Sequence, residues 1–172
     1  GARFARDVAK CRRGDVGARW VAGEVSIAAE HLLSGHLRRI LGNVLASINQ
    51  SNSGPVLLVT SPEGDRHEFG ALIAAIIAAA AGASVVYLGP EMPPDSVVNA
   101  ATQLSCAAIL LSVVALPEGS QRRCFRALQS QLPDDVPVWV GGAATCLGCG
   151  VHHVNNLDDL ATRVRALLGE CV

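Results

Sequence analysis

The sequence predicts a doubly wound α/β domain, a parallel five-stranded sheet covered by helices on both faces, preceded by a small helical bundle. Three observations predict it. Short, continuous, β-branched apolar runs recur from residue 55 onward, as strands buried on both faces require. Segments of helical length separate them, the alternation of a parallel sheet. The first 52 residues carry no strand pattern and end in the polar stretch QSNSGP, which reads as a linker.

In chain order, the N-terminal stretch ARFARDVAKCRRGDVGARW offers two short helices. Residues 26–48 follow as a longer one, in which Glu30, Leu33, Leu37, Ile40, Leu41, Val44 and Ile48 recur at steps of three and four. That spacing puts them on one helix face. Strands are expected at 56–60 (VLLVT), 84–88 (SVVYL), 107–112 (AAILLS) and 137–140 (PVWV), with a weaker one near 151–154 (VHHV). Helices are expected at about 66–81, 94–104, 118–131 and 157–169. The division is therefore a helical cap over 1–52 and a flavodoxin-like, Rossmann-like domain over 53–172. In such a fold a ligand sits beyond the carboxyl ends of the strands, where strand order reverses.

Composition narrows the function classes. Half of the 172 residues are hydrophobic and 17% are charged, enough for a substantial core and against disorder. A formal charge of -1 argues against a nucleic-acid surface as the main business of the chain. The six cysteines lack the dense spacing of a secreted disulfide scaffold, and no leader pattern stands at the N-terminus. The uncharged run 71–88 approaches membrane-spanning length, but Gly82, Ser84 and its β-branched second half fit a buried helix turning into a strand. A soluble, cytoplasmic protein is expected.

The chemistry concentrates at three strand ends. Asp65-Arg66-His67-Glu68-Phe69-Gly70 follows the first strand and reads D-x-H-x-x-G; Ser112-Val113-Val114 ends the third, and Gly141-Gly142 ends the fourth. Neutral imidazole is a good transition-metal ligand, and its free nitrogen is set by what the other donates to. Asp65 is placed to accept that proton. Ser112 is placed to bond either Asp65 or a ligand, and glycines let backbone approach a bulky group. The small helix face of Gly70, Ala74, Ala75 and Ala78 would leave room for a tail between helix and sheet.

This three-part pattern resembles the cobalamin-binding signature D-x-H-x-x-G, S-x-L, G-G of methionine synthase, carbon-skeleton mutases and B12-dependent photoreceptors. Its one departure is Val114 in place of leucine, an apolar exchange. The resemblance implies that His67 is the lower axial cobalt ligand. It also implies that Asp65, Gly70, Ser112, Val114, Gly141 and Gly142 line the cofactor site.

Farther upstream, Trp20 and the pair Glu30-His31 form W-x9-E-H. With GEVSIAAEHLLSGHLR, VVYLGPEMP and LSVVAL, this is similar to the light-sensing adenosylcobalamin domain of the CarH family of transcriptional regulators. The resemblance implies that Trp20 packs over the adenosyl group, Glu30 bonds its ribose, Ile27 adds apolar contact and His31 stands near the upper face. Read from chemistry alone, a bundle-core aromatic is the favoured reading of Trp20, and a helix-dipole acid that of Glu30.

The chain departs from that family in two respects. Val21 stands where the family has a histidine that binds cobalt after light, so the lit state is aquo- or hydroxocobalamin, is capped by another group such as His31, or is released. No helix-turn-helix module is present in these residues, and the cap looks short for four helices. The resemblance therefore implies a non-enzymatic light sensor that acts through a homo-oligomer or a partner protein, without a membrane. The rival is a corrinoid methyl carrier using methylcobalamin. Cys146-x-x-Cys149 with His152-His153 reads as a plain loop or, less economically, a zinc clip; nothing in the sequence argues for a second chromophore.

Overall fold

The computed structural model describes residues 26–146 and 149–169. Helix α1 (Ile27–Asn49) is followed by β1 (Val56–Thr60), α2 (Glu68–Ala80), β2 (Ser84–Tyr87), α3 (Pro94–Gln103), β3 (Ala108–Val113), α4 (Glu118–Gln129), β4 (Val138–Gly142), β5 (His152–His153) and α5 (Leu157–Leu167). The strands form one parallel sheet in the order β2-β1-β3-β4-β5. Strand order therefore reverses between β1 and β3, the position expected for a ligand crevice.

Every strand expected from the sequence is present, with ends displaced by one or two residues. The central strands explain why they were legible. Leu57, Leu58 and Val59 are fully buried, and alternate residues enter different cores. Leu57 and Val59 face α2 and α5, whereas Leu58 faces α3 and α4. Two apolar layers of this kind supply the main driving force for the fold, at about 25 cal/mol per Å² removed from water.

Helix α1 starts where Ser26 accepts a hydrogen bond from the Ala29 N–H at 3.2 Å, an N-cap. Its carboxyl half docks on α2 through buried Leu41 and Leu45, with Leu37, Val44 and Ile48 partly covered. Asn49 then finishes the sheet edge: its amide donates to the Val85 carbonyl at 2.9 Å and its oxygen accepts the Val85 N–H at 2.7 Å. A side chain thereby stands in for a sixth strand and covers an otherwise open edge. The periodicity expected over 26–48 holds only in part, because Leu33 and Ile40 are exposed among the described residues.

The β4–β5 loop is pinned from α4. Buried Gln121 donates to the Leu116 carbonyl at 2.7 Å, and its oxygen accepts from Thr145 N–H at 2.9 Å and Cys146 N–H at 3.3 Å. Cys146 and Cys149 are joined as a disulfide. No helix among the described residues is long and apolar enough to cross a membrane.

Candidate functional site

The loop after β1 carries the site because Asp65 organises it. Asp65 is fully buried. Its Oδ2 accepts the backbone N–H groups of Val114 at 2.6 Å and Ala115 at 3.0 Å. Its Oδ1 accepts the His67 N–H at 3.1 Å and lies 2.8 Å from His67 Nδ1. One carboxylate thus ties the β1–α2 loop to the β3–α4 loop across the switch point.

Burial alone pushes the Asp65 carboxyl up, but the hydrogen bonds from Val114, Ala115 and His67 outweigh it and hold the group below its ordinary range. An ionised carboxylate only accepts hydrogen bonds. In the neutral ring of His67, Nδ1 must therefore carry the proton, which leaves the Nε2 lone pair outward. Among the described residues Nε2 has no hydrogen-bond partner, and the His67 side chain is 44% exposed. A histidine held by a buried carboxylate with its second nitrogen open is the donor arrangement of a metal ligand.

The sign of the pH effect follows. With a folded pKa below the unfolded value of about 3.9, Asp65 contributes stability that is present above about pH 4. That contribution is lost as pH falls through the folded value. Asp65→Asn is expected to lower the stability of the cofactor-free protein at pH 7 by about 1.5–3 kcal/mol and to flatten its loss in acid. Urea unfolding at several pH values checks this; an unchanged acid slope in the variant contradicts it.

Beside this loop, between α2, the ends of β3 and β4, and the start of α5, lies a cavity of about 280 Å³. Gly70, Ser112, Val114, Gly141 and Gly142 all line it, so the structure brings these five expected residues together. Gly70 has a specific reason to lack a side chain, since a Cβ there would stand 2.6 Å from Ser112 Oγ. Ser112 does not bond Asp65. Among the described residues its hydroxyl has no hydrogen-bond partner, and it remains available to the cavity.

Three of these positions also carry structural roles that the sequence did not announce. Val114 holds Asp65 through its backbone N–H, which any residue but proline supplies, and the residue is 41% exposed where it lines the cavity. Gly142 is required first by its neighbour strand: its φ is +95° and a Cβ would run into the Val113 carbonyl oxygen. Of the small helix face, Gly70 and Ala74 line the cavity, whereas Ala75 and Ala78 are fully buried in the core. The sequence reading missed the far wall, formed by Val154, Asn155, Asn156, Leu157 and Leu160. Asn156 is fixed there as the N-cap of α5, accepting from Asp158 and Asp159 N–H groups at 3.0 and 2.9 Å. The signal for it was present in the asparagine preceding an acidic first turn.

Of the upper-face residues, Trp20 and Val21 lie outside the described residues. Glu30 is in the first turn of α1, half-buried, accepting from Ser34 Oγ at 2.9 Å. Ile27 and His31 are exposed. The course of α1 places all three. Arg38 meets Glu68 at the start of α2, and Asn52, just beyond α1, bonds the Ala79 carbonyl at the end of α2. The two helices run in the same direction. The turns before Arg38 consequently overhang the carboxyl edge of the sheet by about 15 Å, at 1.5 Å per residue. The overhang presents apolar side chains, with Ile27 74% and Leu32 65% exposed among the described residues.

The B12 binding domain family matches residues 55–148. The HTH-type transcriptional repressor CarH of Myxococcus xanthus is 34% identical over 152 residues, 84% of this chain and 50% of CarH. CarA, an HTH-type transcriptional repressor of the same organism, is 32% identical over 120 residues, 69% of this chain and 41% of CarA. The chain spans half or less of the length of these curated relatives. Among solved structures, a cobalamin-binding protein from Desulfitobacterium hafniense DCB-2 superposes with a TM-score of 0.58 at 22% identity, covering 96% of this chain and 84% of that one. The Methanosarcina barkeri monomethylamine corrinoid protein superposes with a TM-score of 0.63 at 22% identity, covering 88% and 76%. At such identities these two establish the shared fold.

Proposed function

The chain belongs to the B12-binding domain family, and from that premise we propose that it holds adenosylcobalamin through His67 and serves as a light sensor in transcriptional or signalling control. The observation that carries the cofactor assignment is the Asp65–His67 pair, which fixes an open Nε2 at the switch point. The cavity lined by Gly70 and Ser112 fits the same group. It has room beside the sheet for the cofactor's displaced nucleotide tail, and the free Ser112 hydroxyl can bond that tail. The choice of a sensor is supported by the CarH match, which reaches well beyond residues 55–148.

In this reading residues 1–52 are a cap and 53–172 the cofactor domain. Bound adenosylcobalamin supplies a cobalt–carbon bond that visible light breaks. Asp65 holds the His67 proton on Nδ1 and so keeps Nε2 a donor. Ile27 and Glu30, on the overhang of α1, would hold the adenosyl group together with Trp20, and His31 would stand beside them. Loss of that group would remove the contacts these side chains make to it. The difference in contacts between the two states is what shifts the position of α1, and with it a self-association or partner surface. The chain itself performs no catalysis.

The test is direct. The protein is loaded with adenosylcobalamin in darkness, and absorption and size-exclusion profiles are recorded before and after green light. A change of assembly that needs the adenosyl group is the expected result. Equal binding of methylcobalamin with no response to light contradicts it and favours a methyl carrier. A second prediction concerns the cavity. Ala74→Phe is expected to weaken cobalamin binding at least about 30-fold, since a ring there takes up space the tail needs. Binding of cobinamide, which has no nucleotide tail, should be nearly unchanged; an equal loss for both ligands contradicts the assignment of the cavity.

A further inference from the structure

The residue that follows His67 is tied to the cap helix. Glu68 opens α2, and its carboxylate accepts Arg38 Nε from the middle of α1 at 2.6 Å. Arg38 Nη2 meets the same oxygen, so two donors of one guanidinium converge on it. The Glu68 side chain is only 10% exposed, whereas that of Arg38 is 57% exposed. The partly buried Glu68 charge thus depends on Arg38, an asymmetry that makes the arginine costly to remove. Tyr87 closes the back of the pair. Its hydroxyl is buried without a well-formed hydrogen bond, and burial, then the Glu68 charge, pushes its pKa up.

The place of this pair along α1 gives it a mechanical meaning. After Arg38 the helix is anchored by Leu41 and Leu45 in the apolar core and by Asn49 on the sheet edge. Before Arg38 no residue of the helix is buried among the described residues. Arg38 is thus the point where the anchored half becomes the overhang, and it is fastened to the side-chain carboxylate of the residue that follows His67. A tilt of the overhang bears on Glu68 through Arg38 and on the α2 core through the neighbouring, partly covered Leu37.

We infer that Arg38 and Glu68 are positioning residues for His67, coupling the attitude of α1 to the imidazole below the cofactor. The inference rests on the assignment of His67 as the cobalt ligand, and it does not rest on the light response. It is tested in darkness with hydroxocobalamin, which has no adenosyl group. The measured quantities are the balance between His67-bound and His67-free cofactor, read from its absorption spectrum during titration with free imidazole, and the melting temperature of the cofactor-free protein. Arg38→Gln and Glu68→Gln are each expected to shift that balance at least about fivefold toward the His67-free form. Arg38→Lys, which keeps the charge, should give a smaller shift, and the exchange Arg38→Glu with Glu68→Arg should restore the wild-type balance to within about twofold.

If Glu68→Gln does not fold, the exposed Arg38 variants decide the matter alone. A fall in melting temperature with an unchanged balance in the Arg38 variants would mean a merely structural pair and overturn the inference. So would a folded charge exchange that fails to restore the balance. A wild-type protein without a His67-dependent spectrum would instead sink the ligand assignment, a separate and recognisable outcome.

Discussion

Replacing His67 with alanine is expected to weaken cobalamin binding at least about 100-fold, because changes one shell farther out already cost 10–100-fold in metal sites. The spectrum of whatever cofactor remains bound should lose the signature of histidine ligation. The cofactor-free protein should remain folded. His67 is at the N-cap of α2 but its side chain makes no capping bond. After its removal Asp65 still accepts three backbone N–H groups, so the expected loss of stability is below about 1.5 kcal/mol. Titration calorimetry and thermal melting of the same variant separate the two effects. Binding that survives intact would remove the basis for the assignment.

The second large effect is on folding. Gly142→Ala is expected to destabilise the protein by about 2–4 kcal/mol, since the residue is held at φ +95° and a Cβ would strike the Val113 carbonyl oxygen, which is backbone and cannot turn aside. For a chain of this length that is roughly 5–15 °C in melting temperature. Gly141 is the control. A Cβ there meets Val154 only at 4.0 Å, so Gly141→Ala should cost less than about 1 kcal/mol. Because Gly141 lines the cavity, its substitution should act mainly on cofactor binding. Equal melting temperatures for the two variants would contradict this division of labour between adjacent glycines.

That division shows how far the sequence could be read. Gly141-Gly142 marks the right place, the end of β4, but not that Gly142, besides lining the crevice, is also required by the neighbouring strand. The central strands were legible because burial on both faces leaves a continuous apolar run, as in VLLVT. Strand β5 has two residues and left a correspondingly faint trace. The spacing of Asp65 and His67 announced their contact, since two residues on one loop meet locally. The partners of Asp65 on the other loop are backbone N–H groups, and backbone donors leave no mark on residue identity. Arg38 and Glu68 lie 30 residues apart, on helices whose relative placement no local pattern encodes. The register of α1 against α2 had to be seen before that pair could be recognised.

The measurement closest to the centre of the account identifies the nitrogen on the metal. The protein is produced with 15N-histidine, loaded with ordinary unlabelled cobalamin, reduced to the paramagnetic cobalt(II) state and examined by electron paramagnetic resonance. Each cobalt line is split by the axial nitrogen, into three by 14N and into two by 15N. Splitting into two, lost in His67→Ala, is the expected result. Splitting into three, unchanged by the label, would mean that the vitamin's own base still holds the cobalt and that His67 does not.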